Sequence, residues 1–188
     1  MVTNSSEGAS VFEDHCKVIS PHRIGGRIEG TGVPPNIQCS RDSDLEMFLH
    51  DRAIFYEKRD RARTYLIVGS DDEHDTIVAY ISLAITHLTV CEDSPLSKTI
   101  RKRMDLHDNM TNAYLIGQLA KDDRVDEHIG HELIKMAINL IRPGFEMFGC
   151  RIICIDCKKP LIEFYEREGF FRISTEPVDG LYRMVCLI

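Results

Sequence analysis

The feature that most constrains this chain is the alternation of short apolar runs with helix-period segments through its second half. The runs AYLIGQLA (113–120) and RIICIDC (151–157) have the length and composition of buried strands. PLIEFYERE (160–168) has a proline in its first turn and Gly169 just past its end, which is typical of a short helix. FFRIS and LYRMVCLI add two closing strands. This order predicts an α/β fold with a mixed sheet.

An amphipathic helix is predicted between the two apolar runs, over residues 129–141. Its apolar face consists of residues at helical spacing: Ile129, Leu133, Met136, Ala137, Leu140 and Ile141. Pro143 and Gly144 follow, and this pair is expected to end the helix.

The first half predicts an arm, a helix and a hairpin. Residues 1–40 are rich in Ser, Gly and Pro, and we expect an extended, partly disordered arm with a short strand near Cys16–Ile19. The predicted domain, residues 41–188, begins with a helix over 43–61, where Ser43 and Glu46 fit a capping box. TYLIV (64–68) and TIVAYISLAITHL (76–88) predict a hairpin around GSDDEHD. One short helix is expected within 92–112.

Composition is typical of a soluble globular protein. Of 188 residues, 43% are hydrophobic and 28% are charged, and no stretch approaches the roughly 20 apolar residues that span a bilayer. The N-terminus lacks the pattern of a secretion signal, so the seven cysteines are interpreted as reduced thiols in the cytoplasm. The formal charge of −7 argues against a nucleic-acid partner, and the basic cluster within 98–103 is interpreted as a solvated helix face.

The chain also resembles the GNAT superfamily of N-acetyltransferases. LIGQLAKDDRVDEHIGHELI, RIICIDC and FYEREGF follow the family's order of strand, phosphate-binding loop with its helix, second strand, and FY-x-x-x-GF helix. DLEMFLHDRA, RTYLIV and IVAYISLA resemble its first helix and hairpin, so the resemblance covers about residues 43–188. It implies a GNAT fold, a central, mixed, mostly antiparallel twisted sheet flanked by helices. It also implies acetyl transfer from acetyl-CoA to a small-molecule or peptide amine.

The resemblance implies where acetyl-CoA is held. The pantetheine arm would pair with the strand edge at Leu119, Ala120 and Lys121. The diphosphate would lie at the N-terminus of the following helix, where free amides and the helix dipole attract anions. The residues implied there are His128, Ile129, Gly130 and His131. No metal is required for this chemistry.

The loop before that helix departs from the family pattern Arg/Gln-x-x-Gly-x-Gly/Ala. Gly130 falls on the last position, but His128 stands at the central glycine and Val125 at the Arg/Gln position, with Arg124 one residue away. We therefore expect weaker binding of acetyl-CoA than with a full glycine loop.

Acidic residues crowd the same loop. Four carboxylates surround the expected diphosphate position: Asp122, Asp123, Asp126 and Glu127. They would repel the diphosphate unless they point to solvent. Cations nearby are expected to offset part of this charge: Lys121, Arg124, His128 and His131.

Tyr165 matches the family tyrosine that can donate a proton to the departing CoA thiolate. A phenol with an ordinary pKa of about 10 suits proton exchange with a thiol. The alternative is a packing role beside Phe164 and Phe170. Tyr80 and Gln118 are predicted to line the acceptor side, and the sequence identifies no catalytic base.

Two other functions stay open. The acidic loop favours a GNAT-like binding or regulatory module that has lost affinity for CoA. The layout also resembles the GNAT toxins that acetylate aminoacyl-tRNA, and the basic cluster within 98–103 supports that function. A homodimer is compatible with either.

Three motifs have plainer explanations. HIGH (128–131) matches a signature of class I aminoacyl-tRNA synthetases, but it lies late in the chain and no second motif follows. CIDC (154–157) places its thiols on opposite faces of a strand, so buried small side chains are expected there instead of a metal site. DDEHD (71–75) is interpreted as a solvated turn.

Overall fold

The computed structural model describes residues 16–19, 37–70 and 75–188, with the backbone alone at 16–19, Ser70 and Asp75. The described elements are β1 (Cys16–Ile19), α1 (Ser43–Met47), a π-helical turn (Phe48–Arg52), α2 (Ala53–Lys58), β2 (Arg63–Ser70), β3 (Asp75–Thr89), α3 (Lys98–Met104), β4 (Met110–Lys121), α4 (Gly130–Phe148), β5 (Ile152–Cys157), a 3-10 turn (Lys159–Leu161), α5 (Ile162–Arg167), β6 (Phe171–Arg172) and β7 (Tyr182–Leu187).

The strands form a mixed sheet in the order β1-β2-β3-β4-β5-β7-β6. β1 runs antiparallel to β2, and β7 runs antiparallel to both β5 and β6. β4 and β5 are parallel, with Tyr114–Ile116 opposite Ile153–Ile155. This pairing ends at Ile116, whereas β4 itself continues to Lys121. The predicted mixed, mostly antiparallel sheet is confirmed.

The chain divides into two compact units, and β3, β4 and α4 each pass from one unit to the other. Unit 1 comprises Met1–Ser82 and Gln118–Met136, and unit 2 comprises Leu83–Gly117 and Ala137–Ile188.

The core of unit 1 lies where the first helical segment covers β2 and β3. Its largest buried side chains include Leu49, Leu66 and Tyr80. The Tyr80 ring stacks on Phe48, with ring centroids 6.2 Å apart. Ile37 also lies in this core, although the sequence assigns it to the arm. The predicted boundary between arm and domain at residue 40 stays a prediction.

The core of unit 2 is built on β5, whose side chains are buried at all but one position, Asp156. α3 packs beside this core through the buried Met104. Arg101 fixes the neighbouring loops, because its guanidinium donates to the Cys91 carbonyl at 2.6 Å and to Asn109 Oδ1 at 3.0 Å. One cation of the basic cluster is therefore structural.

The start of α1 differs from the predicted capping box. Asp42, not Ser43, is the N-cap, and its side chain accepts a hydrogen bond from the Asp44 amide. Glu46 reaches further back than a capping box requires and accepts from the Cys39 amide. The helix thus binds the segment that precedes it.

α4 continues through Pro143 and Gly144 to Phe148, so its predicted end near residue 141 is wrong. A proline removes one helical hydrogen bond, and packing can outweigh that loss. Gly144 gives room to Tyr114, since a Cβ there would lie 2.9 Å from the tyrosine oxygen. The Tyr114 hydroxyl in turn donates to the Gly149 carbonyl at 3.2 Å.

None of the helices in the described ranges combines the length and the apolar content needed to cross a bilayer. Most of the predicted turn at 71–75 lies outside the described residues, and no side chain of it is described.

Candidate functional site

The loop of residues 122–129 joins β4 to α4 within unit 1. It follows the predicted pantetheine residues, of which Leu119 and Lys121 are half-buried and Ala120 is buried. At its far end Ile129 is buried, Gly130 is the first helical residue, and His128 and His131 are exposed. Unit 1 therefore carries all the residues that the resemblance implies for the pantetheine arm and the diphosphate.

Asp122 is turned inward and is only 1% exposed. Its Oδ1 accepts from the Arg124 amide at 2.7 Å and from Arg124 Nε at 2.9 Å. Its Oδ2 accepts from Arg124 Nη2 at 2.6 Å and from the Gln38 amide at 3.2 Å. Burial favours the neutral acid, but the hydrogen bonds from Arg124 and Gln38 outweigh it and lower the pKa of Asp122.

Asp123 also binds the segment that precedes α1. Its carboxylate accepts from the Ser40 amide at 2.6 Å, and its own amide donates to the Gln38 carbonyl at 2.8 Å. The bonds from Ser40 lower the pKa of this carboxyl. Asp126 and Glu127 are exposed. Two of the four carboxylates thus hold protein amides, an outcome that the sequence did not predict.

Lys121 and Cys39 complete the connection between loop and segment. Lys121 Nζ donates to the Val125 carbonyl within the loop. The Cys39 thiol donates to the Lys121 carbonyl at 3.4 Å. Burial, followed by the nearby carboxylates of which Asp123 has the largest effect, raises the pKa of Cys39 to about 12. The thiol therefore stays neutral and acts as a donor.

Tyr165 lies in α5, within unit 2, and is 5% exposed. Its ring makes edge contacts with Phe164 at 5.0 Å and Phe170 at 5.7 Å between centroids. Burial, with a smaller contribution from Cys157, raises the pKa of Tyr165 above its usual range. No group in the described part of the chain hydrogen bonds its hydroxyl.

The end of α5 explains the spacing of the FYEREGF motif. The Phe170 amide donates to the Tyr165 carbonyl at 3.0 Å, and the Gly169 amide donates to the Glu166 carbonyl at 3.1 Å. These two bonds define a Schellman motif, which requires a left-handed residue such as Gly169, with φ of 86°. The contact between Phe170 and Tyr165 is the apolar pair that accompanies it. The motif therefore fixes the tyrosine ring.

The two predicted acceptor-side residues differ in their surroundings. Tyr80 is fully buried and donates its hydroxyl to the Leu45 carbonyl at 2.7 Å, which gives it a structural role in unit 1. Gln118 is half-buried on β4. The position of Tyr80 lends no support to substrate contact, and both roles stay predictions.

The CIDC cysteines are buried free thiols. The Cys157 sulfur lies 3.4 Å from the Met184 sulfur, and Cys154 is part of the unit 2 core. No group of side chains suited to a metal ion occurs among the described residues.

The roles of Asp122 and Asp123 were missed because the sequence gives no sign of which way a loop carboxylate points. Asp122 meets Gln38 across 84 positions of sequence. A weak signal exists in the order Asp-Asp-Arg directly after a strand, since a carboxylate can bind the amide and side chain two residues on. That signal predicts a local turn, and it does not predict the distant partner.

No family model and no curated protein sequence matches this chain. Solved structures nevertheless share its fold. A tyrosine-to-phenylalanine mutant of KacT superposes with a TM-score of 0.71 at 17% identity, covering 90% of this chain and 94% of KacT. AtaT complexed with acetyl-methionyl-tRNAfMet superposes with a TM-score of 0.70 at 15% identity, covering 89% of this chain and 93% of AtaT. AtaTR bound with acetyl-CoA superposes with a TM-score of 0.65 at 17% identity, covering 90% of this chain and 93% of that one.

These neighbours define the class of fold. The chain has the GNAT fold, and the fold prediction is confirmed. Within that fold it is similar to KacT and to the toxin AtaT along nearly the whole length of each protein. Because one neighbour holds a tRNA, the expectation against a nucleic-acid partner gains no support from the comparisons.

Proposed function

We propose that this chain is an acetyl-CoA-dependent N-acetyltransferase. The observation that carries the proposal is the start of the loop that leads from β4 to α4, where Asp122 is paired with Arg124 and Asp123 binds a backbone amide. Two of the carboxylates expected to repel a diphosphate are thereby engaged by protein groups. The N-terminus of a helix then offers the positive end of its dipole to an anion.

The cofactor would extend along consecutive residues of unit 1. Leu119–Lys121 would pair with the amides of the pantetheine arm, beyond the stretch of β4 that pairs with β5. The backbone of residues 128–131 would hold the diphosphate. His128 stands where the family has glycine, and its exposed imidazole would add charge when it is protonated. The support for these roles is the resemblance together with the order of these residues along β4 and α4.

Tyr165 would stabilise the leaving thiolate. The Tyr165 ring is buried, its hydroxyl keeps some exposure, and no described group binds that hydroxyl, so it is available to donate to a ligand. The raised pKa keeps the phenol protonated at physiological pH. Since thiols have a reference pKa of about 8.5, full proton transfer from such a phenol is unfavourable. We therefore propose that Tyr165 donates a hydrogen bond to the thiolate instead of the proton expected from the sequence.

The reaction requires no covalent enzyme intermediate. A neutral amine attacks the thioester carbonyl, a C–N bond forms, and the tetrahedral intermediate expels CoA as its C–S bond breaks. The nitrogen loses its extra proton to solvent, and the thiolate is protonated after it leaves. The chain's own groups supply orientation and electrostatic stabilisation.

Calorimetric titration with acetyl-CoA tests the proposal. We expect saturable heat below about 1 mM ligand, with weaker binding of the free adenine nucleotide portion. Absence of heat and of any thermal shift at that concentration would instead favour the non-catalytic module. If acetyl-CoA binds, a thiol reporter with a panel of amines shows whether CoA is released.

A second candidate refines the acceptor to aminoacyl-tRNA. It is favoured by the similarity to AtaT, which was solved with acetyl-methionyl-tRNAfMet. α3 also presents the exposed cations Lys98, Lys102 and Arg103 on unit 2. Exposed lysines and arginines bind phosphates and make affinity depend strongly on salt. The cytoplasm, where both acetyl-CoA and tRNA occur, is the location that this proposal implies.

A filter-binding titration tests the tRNA acceptor. For a chain that binds methionyl-tRNA through α3, affinity falls steeply between 50 and 200 mM salt, a range typical of phosphate contacts. The double variant Lys98→Gln/Lys102→Gln should reduce that slope by about 2, whereas the exposed Lys58→Gln should not. An unchanged slope in the double variant, or acetyl transfer to free methionine at the same rate, contradicts this refinement.

A further inference from the structure

Several hydrogen bonds join the segment before α1 to the end of β4 and the start of the loop that follows it. Gln38–Ser40 supplies two amides, a thiol and a carbonyl, and Lys121–Asp123 supplies two carboxylates, a carbonyl and an amide. We refer to Gln38–Ser40 together with Lys121–Asp123 as the clasp. All of its residues belong to unit 1.

Asp122 is the centre of the clasp. Its two oxygens accept four hydrogen bonds, three from Arg124 and one from Gln38. Its amide donates to the Val78 carbonyl at 2.9 Å, which attaches the clasp to β3. A buried carboxylate with four donors is strongly held, and replacement of one of its oxygens leaves the donors to that oxygen without an acceptor.

The next two residues after Asp123 are held at this centre. The Val125 amide donates to the Asp122 carbonyl at 3.1 Å, and the Val125 carbonyl accepts from Lys121 Nζ. Arg124 is held by Asp122 through its backbone and its side chain. The side chain of Asp122 therefore holds Arg124, and its backbone, with Lys121, holds Val125 on the way to the N-terminus of α4.

We propose that Asp122 is a positioning residue for acetyl-CoA: its buried carboxylate closes the clasp and so fixes the loop that presents the N-terminus of α4 to the diphosphate. This inference rests on the proposed function. It reverses the expectation from charge alone, by which every carboxylate of the loop weakens binding.

The experiment compares two isosteric substitutions in the same loop. Asp122→Asn and Asp126→Asn each remove one negative charge, but Asp126 is exposed and Asp122 is buried. In Asp122→Asn an amide group replaces one oxygen and faces N–H donors, so two of the four hydrogen bonds lose their acceptor. We expect acetyl-CoA affinity about tenfold weaker in Asp122→Asn and up to about twofold tighter in Asp126→Asn.

Two controls show whether a change in affinity comes from the position of the loop. High salt removes the effect of charge, and a temperature well below the melting temperature avoids unfolding. The effect of Asp126→Asn should vanish at about 1 M salt, whereas that of Asp122→Asn should persist. Affinities are measured well below the melting temperature of each variant. In amide exchange, the Gln38 and Ser40 amides should exchange faster in Asp122→Asn and at the wild-type rate in Asp126→Asn.

Asp123→Asn provides a second variant if Asp122→Asn does not fold. It weakens the acceptor of the Ser40 amide and leaves Asp122 intact. Charge alone predicts tighter binding, and the clasp predicts about threefold weaker binding. Unchanged or tighter binding in both clasp variants, with wild-type binding intact, overturns the inference. Absence of wild-type binding overturns the proposed function, and faster exchange at Gln38 then still identifies Asp122 as the centre of the clasp.

Discussion

At the scale of single residues, Tyr165 combines a fixed ring with a hydroxyl that no described group binds. Tyr165→Phe removes only the hydroxyl. Because the variant loses one hydrogen bond to a charged thiolate, we expect kcat to fall by about 10- to 100-fold, with the affinity for acetyl-CoA unchanged. Full general acid catalysis would give about 10²–10⁴-fold. Rapid-quench measurement of acetyl transfer distinguishes the two ranges.

Tyr114→Phe is the matched control for that substitution. Its hydroxyl also belongs to unit 2, but it donates to the Gly149 carbonyl at the end of α4. The variant should lose a little stability and keep its kcat. Equal kcat losses in both variants would assign Tyr165 a packing role.

Asp122 gives the free energy of unfolding a specific dependence on acid. Its folded pKa lies below the ordinary 3.8, so its contribution is fully present above that value and is lost as pH falls through the folded pKa. Asp122→Asn lacks this contribution at every pH. The difference in free energy of unfolding between wild type and variant should therefore shrink as pH falls from 5 towards 2. Urea titrations across that window measure it, and a constant difference would show that the carboxyl titrates normally.

These two residues mark what the sequence can predict of the site. Tyr165 could be placed because its neighbours are local: the glycine and phenylalanine that fix it lie within five positions. The direction of Asp122 could not be predicted, because its partner Gln38 lies 84 positions away. Its bonds with Arg124 are local, but its bond with Gln38 forms only when the end of β4 lies against that segment.

At the scale of elements, the Schellman motif at the end of α5 links a glycine to the position of the tyrosine. Gly169 has φ of 86°, where a side chain costs about 1–2 kcal/mol. Gly169→Ala should lose that stability and also reduce kcat, because the strain is relieved by moving Phe170 and Tyr165. Thermal unfolding and a kinetic assay provide the two readouts.

Gly149→Ala separates strain from position. Gly149 has φ of 78° with open space around its Cβ direction, so the same substitution imposes similar strain at the end of α4. The melting temperature of Gly149→Ala should fall, and its kcat should stay at the wild-type value. If both variants lose kcat equally, the end of α5 has no special role.

The sequence predicted most elements but not every boundary. The hairpin, β5, α5 and α3 could be predicted because their periodicity and turn residues agree with the tertiary structure. The predicted end of α4 was wrong because Pro143 and Gly144 usually break a helix, whereas here Tyr114 packs over Gly144. The π-helical turn at Phe48–Arg52 had no signal in the sequence, since it changes the hydrogen-bond pattern and leaves the apolar spacing almost intact.

At the scale of the whole molecule, the reactivity of the cysteines measures burial in the cores of unit 1 and unit 2. Burial raises the pKa of Cys39 and Cys154 to about 12 and of Cys157 to about 11. Cys91 is exposed. Because the thiolate is the reactive form, Cys91 should react with a disulfide reagent at pH 8 at least about 100-fold faster than the buried three. Mass spectrometry assigns the sites, and rapid labelling of Cys154 would contradict the position of β5.

The fold could be predicted from the sequence, and the acceptor could not. The order of strands, loop and helices is retained in structures that are only 15–17% identical, because many side chains satisfy the same pattern of burial. Recognition of an acceptor depends instead on a few exposed side chains, such as those of α3, for which burial sets no requirement. Function at that level requires the experiments with amines and tRNA.

The clasp also has a consequence for proteolysis. Coupling between two binding events is reciprocal, so a clasp that strengthens acetyl-CoA binding must itself be strengthened by acetyl-CoA. Arg41, an exposed residue that trypsin recognises, directly follows Ser40. Trypsin cuts where the backbone can open, and saturating acetyl-CoA should slow cleavage after Arg41 by at least about the factor by which Asp122→Asn weakens binding. Limited digestion at this one bond would then report how much of the protein carries its cofactor.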